Sequence, residues 1–376
     1  MAQPFDICIR GAGIVGRTLA LLLAQAGLRV ALVAPPAAAA RAADVRAYAL
    51  NAASQALLAS LRAWPEGDSA TAVTRIEVFA DQDGRLAFDA GELHRSALAW
   101  IVDVPALEAR LADAVRFQPL IEPSAEPVAA PLTLVCEGRA SGTRAEFGAA
   151  FDVTPCGQSA IATRLSCALP HGQVARQWFA PDGSILAFLP LEGAAGNSVA
   201  LVWSVPEHQA DHWMNASDDE FTHALEAASR GALGALRLST RRARWPLQQA
   251  RARRWCGPLP GEAARSWALA GDAAHNLHPL AGQGLNLGLA DAQALARLLR
   301  SREDWRGPAD LRLLRRYERE RKAALAPMLL AMDGLQQLFA RQQSPLPALR
   351  NWGMRGFAHS GPLKAWAARQ AMGARQ

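Results

Sequence analysis

Cysteine is scarce and unpatterned in this sequence. Its five residues, Cys8, Cys136, Cys156, Cys167 and Cys256, are odd in number, and no two of them form a CxxC pair. That spacing excludes a disulfide framework and a zinc-ligand set, and it suits reduced, buried thiols, so no metal is expected. Long apolar runs are also missing. The longest near the N-terminus, Leu19 to Ala24, is far too short to span a bilayer. No basic stretch precedes it, so no signal peptide is read there. Lysine is nearly absent: Lys322 and Lys364 are the only two, and arginine carries the net charge of +6. The arginines cluster at Arg241 to Arg254 and at Arg312 to Arg321 without any nucleic-acid recognition motif, so they read as solvated faces. Tyrosine is limited to Tyr48 and Tyr317, which leaves little material for a tyrosine relay. Acidic residues are absent between Asp6 and Asp44.

What is present is the profile of a globular protein, with 51% hydrophobic residues balanced to a mean hydropathy of zero. Phe5 to Arg10 reads as a buried strand, Gly13 to Ala26 as a helix ended by Gly27, and Arg29 to Val33 as a second strand. A helix is predicted at Val104 to Val115, where Pro105 suits a first turn, and a buried strand at Leu132 to Cys136. From about Phe151 to Trp255 the pattern changes to alternating strands, interrupted by a helix from Ser217 to Ala228. Ser266 to Ala270 returns to a buried strand and Gly284 to Leu299 to a helix; the chain is helical from about Leu311, with breaks at Pro327, Pro345, Pro347 and Pro362. The expected class is α/β: a Rossmann-like dinucleotide-binding domain, an inserted, mostly antiparallel β-sheet domain for the substrate, and a helical C-terminus. The boundaries follow as 1–65, 101–150 and 261–340 for the first unit, 66–100 and 151–260 for the second, and 341–376 for the third.

Two motifs carry chemistry. Gly11-Ala-Gly13-Ile-Val-Gly16 lies between a strand and a helix, where it allows a tight turn, close backbone approach to a pyrophosphate, and close helix–sheet packing. The acidic residue that normally ends the second strand and holds a ribose is replaced by Ala34, which argues for weakened dinucleotide affinity. The second motif runs from Leu269 through Gly271-Asp272, His275, His278, Pro279 and Gly282 to Gly284-Leu285-Asn286. A carboxylate at a strand end can accept hydrogen bonds from a polyol, and the glycine-rich turn before the next helix can offer N–H groups to an anion. Mechanics alone therefore point to a second nucleotide or polyanion site.

This second segment resembles the ribitol-binding segment of FAD-dependent aromatic hydroxylases, above all those of ubiquinone biosynthesis. Asp44-Val-Arg46-Ala-Tyr48, Gly157-Gln158, Trp245-Pro246-Leu247 and Tyr317-Glu-Arg319-Glu-Arg321 match in the same order along the chain. The resemblance implies that Gly11, Gly13 and Gly16 take the FAD pyrophosphate, that Arg46 lies near the phosphates and ribityl chain, and that Gly271 and Asp272 hold the ribitol. Gly282, Gly284, Leu285 and Asn286 would face the flavin, with Pro279 where oxygen reacts. His275 is either a catalytic residue or a hydrogen-bonded helix-entry residue. Trp178, Phe188 and Trp203 are candidate walls of the substrate pocket. A third family motif, Asp-Gly followed by Ser and Arg, is half kept as Glu137-Gly138 with Ser141 and Arg144, which alters the reach of the acid.

The implied activity is hydroxylation of an aromatic substrate, a prenylated phenol, with FAD as cofactor, NAD(P)H as reductant and O2 as oxidant. The competing expectations are a flavin oxidoreductase that does not hydroxylate, and a scaffold or lipid-binding protein with weakened FAD affinity. No nucleic-acid partner is expected. The implied location is cytoplasmic, with peripheral contact to a membrane or to a ubiquinone-biosynthesis complex through the segment Leu346 to Arg375, where Trp352, Phe357 and Trp366 alternate with Arg350, Arg355 and Lys364.

Overall fold

The computed structural model describes residues 4–34, 44–79, 84–276 and 283–340. His278, Pro279, Gly282 and the C-terminal segment from 341 lie outside them. The chain opens with β1 (Ile7–Arg10), α1 (Ile14–Gln25) and β2 (Val30–Val33). Two apolar runs make the strands, and α1 buries Leu19, Ala20 and Leu23. The helix stops where Gly27 donates to the Ala24 carbonyl and Leu28 to that of Leu23, which satisfies two carbonyls the helix leaves open. Next come β3 (Ala47–Leu50), α2 (Ala52–Ser60), β4 (Ala70–Val73), β5 (Arg75–Phe79), β6 (Arg85–Asp89) and β7 (Ala99–Asp103). Then follow α3 (Val104–Arg116), β8 (Ile121–Ser124), β9 (Leu132–Val135) and α4 (Thr143–Glu146). Asp103 caps α3 by accepting the Ala106 N–H at 3.0 Å, with Pro105 in the first turn as predicted.

The middle of the chain holds β10 (Phe151–Cys167), β11 (Val174–Phe179), β12 (Ile185–Leu191) and β13 (Ser198–Pro206). After them come α5 (Glu207–Asn215), α6 (Asp218–Ala228), β14 (Leu236–Leu238) and β15 (Ala243–Ala252). The last described elements are β16 (Cys256–Leu259), β17 (Glu262–Leu269), β18 (His275–Asn276), α7 (Gly284–Arg300) and α8 (Leu311–Ala340). Pro327 lies inside α8 and does not break it as predicted. One proline removes a single N–H from a helix this long, and such a helix can kink and continue.

Three sheets result. The first runs in the order β16-β17-β9-β1-β2-β8. Its strands are parallel except for β16. Because β17, β9 and β1 are adjacent and run the same way, the loops that leave their C-terminal ends emerge side by side at one edge. Those loops are the three motifs singled out above. The second sheet has nine strands and is mainly antiparallel, with α5 and α6 on one face. The third is a small antiparallel sheet, β3-β7-β4, which joins residues expected in both of the first two units. Among the described residues no helix is long and apolar enough to cross a membrane.

Candidate functional site

The turn after β1 is shaped by close packing. Gly11 has φ of +110°, and a Cβ there would lie 2.5 Å from the Cys136 carbonyl oxygen. A Cβ on Gly16 would lie 1.9 Å from the Gly11 carbonyl oxygen, so α1 could not approach the sheet. Gly13 is different, because nothing lies within 4 Å of where its Cβ would stand. It is the N-cap of α1, which has neither a capping side chain nor an acidic residue in its first turn. The first-turn N–H groups have no intrahelical partner, and the positive end of the helix dipole stands behind them.

The turn after β17 meets this one directly. Gly271 has φ of +62°, and Cβ atoms on Gly271 and Gly288 would lie 3.3 and 2.8 Å from a Val15 methyl carbon. The first motif, the second motif and α7 thus converge on Val15. Asp272 projects from this turn, and its carboxylate has no hydrogen-bond partner among the described residues. Burial pushes its pKa up, against the opposing charges of His275, Arg139 and Arg46. Arg46 itself closes on Asp44, with Nε 2.8 Å from Oδ1, and lies 3.3 Å from the Tyr48 hydroxyl. Arg144, buried against the Phe151 ring, donates to the carbonyls of Ala273 (3.2 Å) and Asp272 (3.4 Å) and holds the turn from the other side.

Glu137, in the loop after β9, accepts the Ser141 and Thr143 hydroxyls, each at 2.6 Å, and pairs with Arg10 at 3.2 Å. Burial alone would raise its pKa, yet these partners hold it below the usual carboxylate range. Its longer side chain is thus fully used within the chain. At the end of β2, the Ala34 N–H donates to the Ser124 carbonyl at 3.0 Å.

Gly284 and Leu285 begin α7, whose first turn has no acidic residue and no side-chain cap. The side chain of Asn286 is engaged elsewhere: its Nδ2 donates to the Ala49 carbonyl at 2.8 Å, and its Oδ1 accepts from the Asn51 N–H and the Ser54 hydroxyl. His275 is buried, with Nε2 2.7 Å from Asp291 Oδ2 and its ring stacked on Trp255 at 5.0 Å. The sequence had not singled out Asp291; its partner Arg321 ends the Tyr317-Glu-Arg319-Glu-Arg321 match, without a role assigned to it.

Trp178, Phe188 and Trp203 are not placed as an opening. The register sets Leu186 opposite Trp203 and Phe188 opposite Leu201, and this face is closed by Phe221 and Leu225 of α6. All three are core residues, at 7%, 1% and 6% exposure. Strand alternation turns their neighbours to the other face. Ala160, Ala162, Ala187, Val202, Ser204 and Trp245 share that face by register. On the same face Arg164 reaches Asp103 at 2.5 Å and the Asp44 carbonyl at 3.4 Å, so this side of the sheet looks toward Arg46.

The comparisons agree with this geometry. Residues 120–330 match the model of the FAD binding domain family. The chain is 30% identical over 402 residues to 3-demethoxyubiquinol 3-hydroxylase of Escherichia coli, covering 99% of each. It is 29% identical to ubiquinone hydroxylase UbiL of Rhodospirillum rubrum, covering 98% of this chain and 89% of that one. Among solved structures, p-nitrophenol 4-monooxygenase PnpA of Pseudomonas putida superposes with a TM-score of 0.73 at 16% identity, over 100% of both chains. HpxO of Klebsiella pneumoniae, complexed with FAD and uric acid, superposes with a TM-score of 0.70 at 16% identity, over 98% of this chain and 96% of that one. Both share the fold. With most of its length matched by such relatives and three glycine-bearing loops gathered at one sheet edge, the chain belongs to the FAD-dependent aromatic hydroxylases, in the family of the ubiquinone-biosynthesis hydroxylases.

Proposed function

We propose that this protein is an FAD-dependent monooxygenase that hydroxylates a prenylated phenol in ubiquinone biosynthesis, using NAD(P)H and O2. The observation that carries this reading is the Asp272 carboxylate, left without a partner among the described residues on a turn that packs against Val15 of α1 and Gly288 of α7, two helices whose first turns bear no acids. A half-buried carboxylate with no partner in the chain carries a desolvation cost, and the hydroxyls of a ribityl chain are groups that would satisfy it. The open space at Gly13 and the free first-turn amides of α1 suit a pyrophosphate. The residues present therefore fit FAD.

Bound FAD supplies the redox chemistry, by which an aromatic C–H, O2, NAD(P)H and a proton become a phenolic C–OH, water and NAD(P)+. This chain's own part is to bind, orient and exclude water. The N-terminus of α7, at Gly284 to Asn286, offers backbone N–H groups and a positive dipole end to the electron-rich edge of the ring system. The sheet face of Ala160, Ala187, Val202 and Trp245 forms the roof of the substrate site. The apolar surface of this face would keep water away from the reacting atoms. In this reading the first sheet serves FAD and the second the phenol.

Oxygen uptake and peroxide release, measured on the FAD-loaded protein with NAD(P)H, test the reading. A prenylated phenol should speed NAD(P)H oxidation while lowering the share of oxygen released as peroxide. NAD(P)H oxidation unaffected by any phenol would favour a flavin oxidoreductase that does not hydroxylate.

A further inference from the structure

Beyond the residues that would touch FAD, a fully buried ionic group stands directly behind the Asp272 turn. The Asp291 carboxylate, on α7, is 0% exposed. Its Oδ2 accepts the Gly271 N–H at 2.9 Å and lies 2.7 Å from His275 Nε2, and its Oδ1 accepts from Arg321 Nε at 2.6 Å. Asp291 lies on the same face of α7 as Gly284 and Gly288, seven and three residues earlier, and so looks onto the turn that Val15 also touches.

Buried ion pairs are poor devices for stability, because desolvation offsets much of the attraction, and an apolar core of the same volume often does as well. What such a group does supply is fixed geometry. Here it ends on the backbone N–H immediately before Asp272, while Arg144 grips the carbonyls of Asp272 and Ala273. A turn held at its amide and at its carbonyls has little freedom left to re-aim its side chain.

We propose that Asp291 is a positioning residue for FAD binding, acting through Asp272, and that Arg321 of α8 belongs to the site because it holds Asp291. His275 takes part as the second orienting partner of that carboxylate, stacked on Trp255, and not as a group that meets the substrate. The inference rests on the FAD site proposed above.

A double-mutant cycle in FAD affinity separates positioning from stability. FAD dissociation constants are measured by flavin fluorescence for the wild type, Asp272→Ala, Asp291→Asn and the double variant, with thermal melts of each FAD-free protein. Each single variant should bind FAD about tenfold or more weakly, the loss expected when a charge-assisted contact is removed or misaligned. The double variant should bind no worse than the weaker single one. Arg321→Lys, which keeps the charge, should recover most of the affinity that Arg321→Met loses, and the visible circular dichroism of bound flavin should shift in Arg321→Met. Losses that multiply in the double variant, or unchanged FAD affinity in Asp291→Asn and Arg321→Met, would overturn the proposal. If Asp291→Asn does not fold, the arginine pair alone decides. A wild type that binds no FAD would instead overturn the flavoprotein reading itself.

Discussion

Asn286 accepts the Ser54 hydroxyl at 2.7 Å on the same oxygen that accepts the Asn51 N–H at 2.9 Å. This buried contact ties the start of α7 to the start of α2 across 232 residues of chain. Asn286→Ala would leave two buried donors, the Asn51 N–H and the Ser54 hydroxyl, without this partner, at about 1–3 kcal/mol for each. The melting temperature of the FAD-free protein should fall clearly. An unchanged melt with lost FAD binding would show that the side chain serves the ligand instead.

Gly13 and Gly16 differ in the same physical terms. Gly13→Ala should cost the FAD-free fold no more than about 1 kcal/mol, as a change of N-cap residue, yet weaken FAD binding strongly. Gly16→Ala should destabilise the FAD-free protein, because its Cβ would meet a backbone oxygen at 1.9 Å. Melts and FAD titrations of both variants check this. Equal effects of the two on stability would remove Gly13 from the binding site.

Asp272 should trade stability for binding. Burial raises its pKa in the FAD-free protein above the ordinary 3.8. The folded state then holds this proton more tightly than the unfolded state, so Asp272's contribution to stability is fully present below 3.8 and is lost as pH rises through the raised value. At neutral pH the ionised group is a cost that Asp272→Asn removes. The variant should melt at or above the wild-type temperature without FAD, and bind FAD more weakly. A lower melting temperature with intact FAD affinity would contradict the placement of the ribitol at Asp272.

Membrane contact should depend on the C-terminal segment. Each CH₂ of a prenyl tail adds about 0.8 kcal/mol of preference for an apolar phase, so a prenylated substrate of the proposed kind would partition into the bilayer. Full-length protein should co-sediment with anionic liposomes in low salt, and a chain ending at Gln343 should not. Equal sedimentation of the two would give the segment a structural role only.

Local pattern made part of this legible. The glycine spacings, the N-cap of α3 and the apolar runs of β1, β9 and β17 depend on neighbours within a few residues, and the structure places them as the sequence suggests. Alternation in β12 and β13 separates two faces, but it does not tell which face a helix will cover. That is why Trp178, Phe188 and Trp203 were candidate walls and are core. The Asp291–Arg321 pair spans 30 residues and joins two helices, so no spacing rule reveals it. Glu137, one methylene longer than the family's aspartate, was read as an altered reach, and in the structure it meets Arg10, Ser141 and Thr143.

The central claim, oxygen transfer to a phenolic ring at this FAD site, is tested most directly with isotopically labelled dioxygen. The FAD-loaded protein is given NAD(P)H and a prenylated phenol, and the product is read by mass spectrometry. One labelled oxygen atom in a new ring hydroxyl, lost in Asp272→Ala unless FAD is in large excess, is the expected result. Labelled peroxide as the sole oxygen product, with the phenol recovered unchanged, would contradict it.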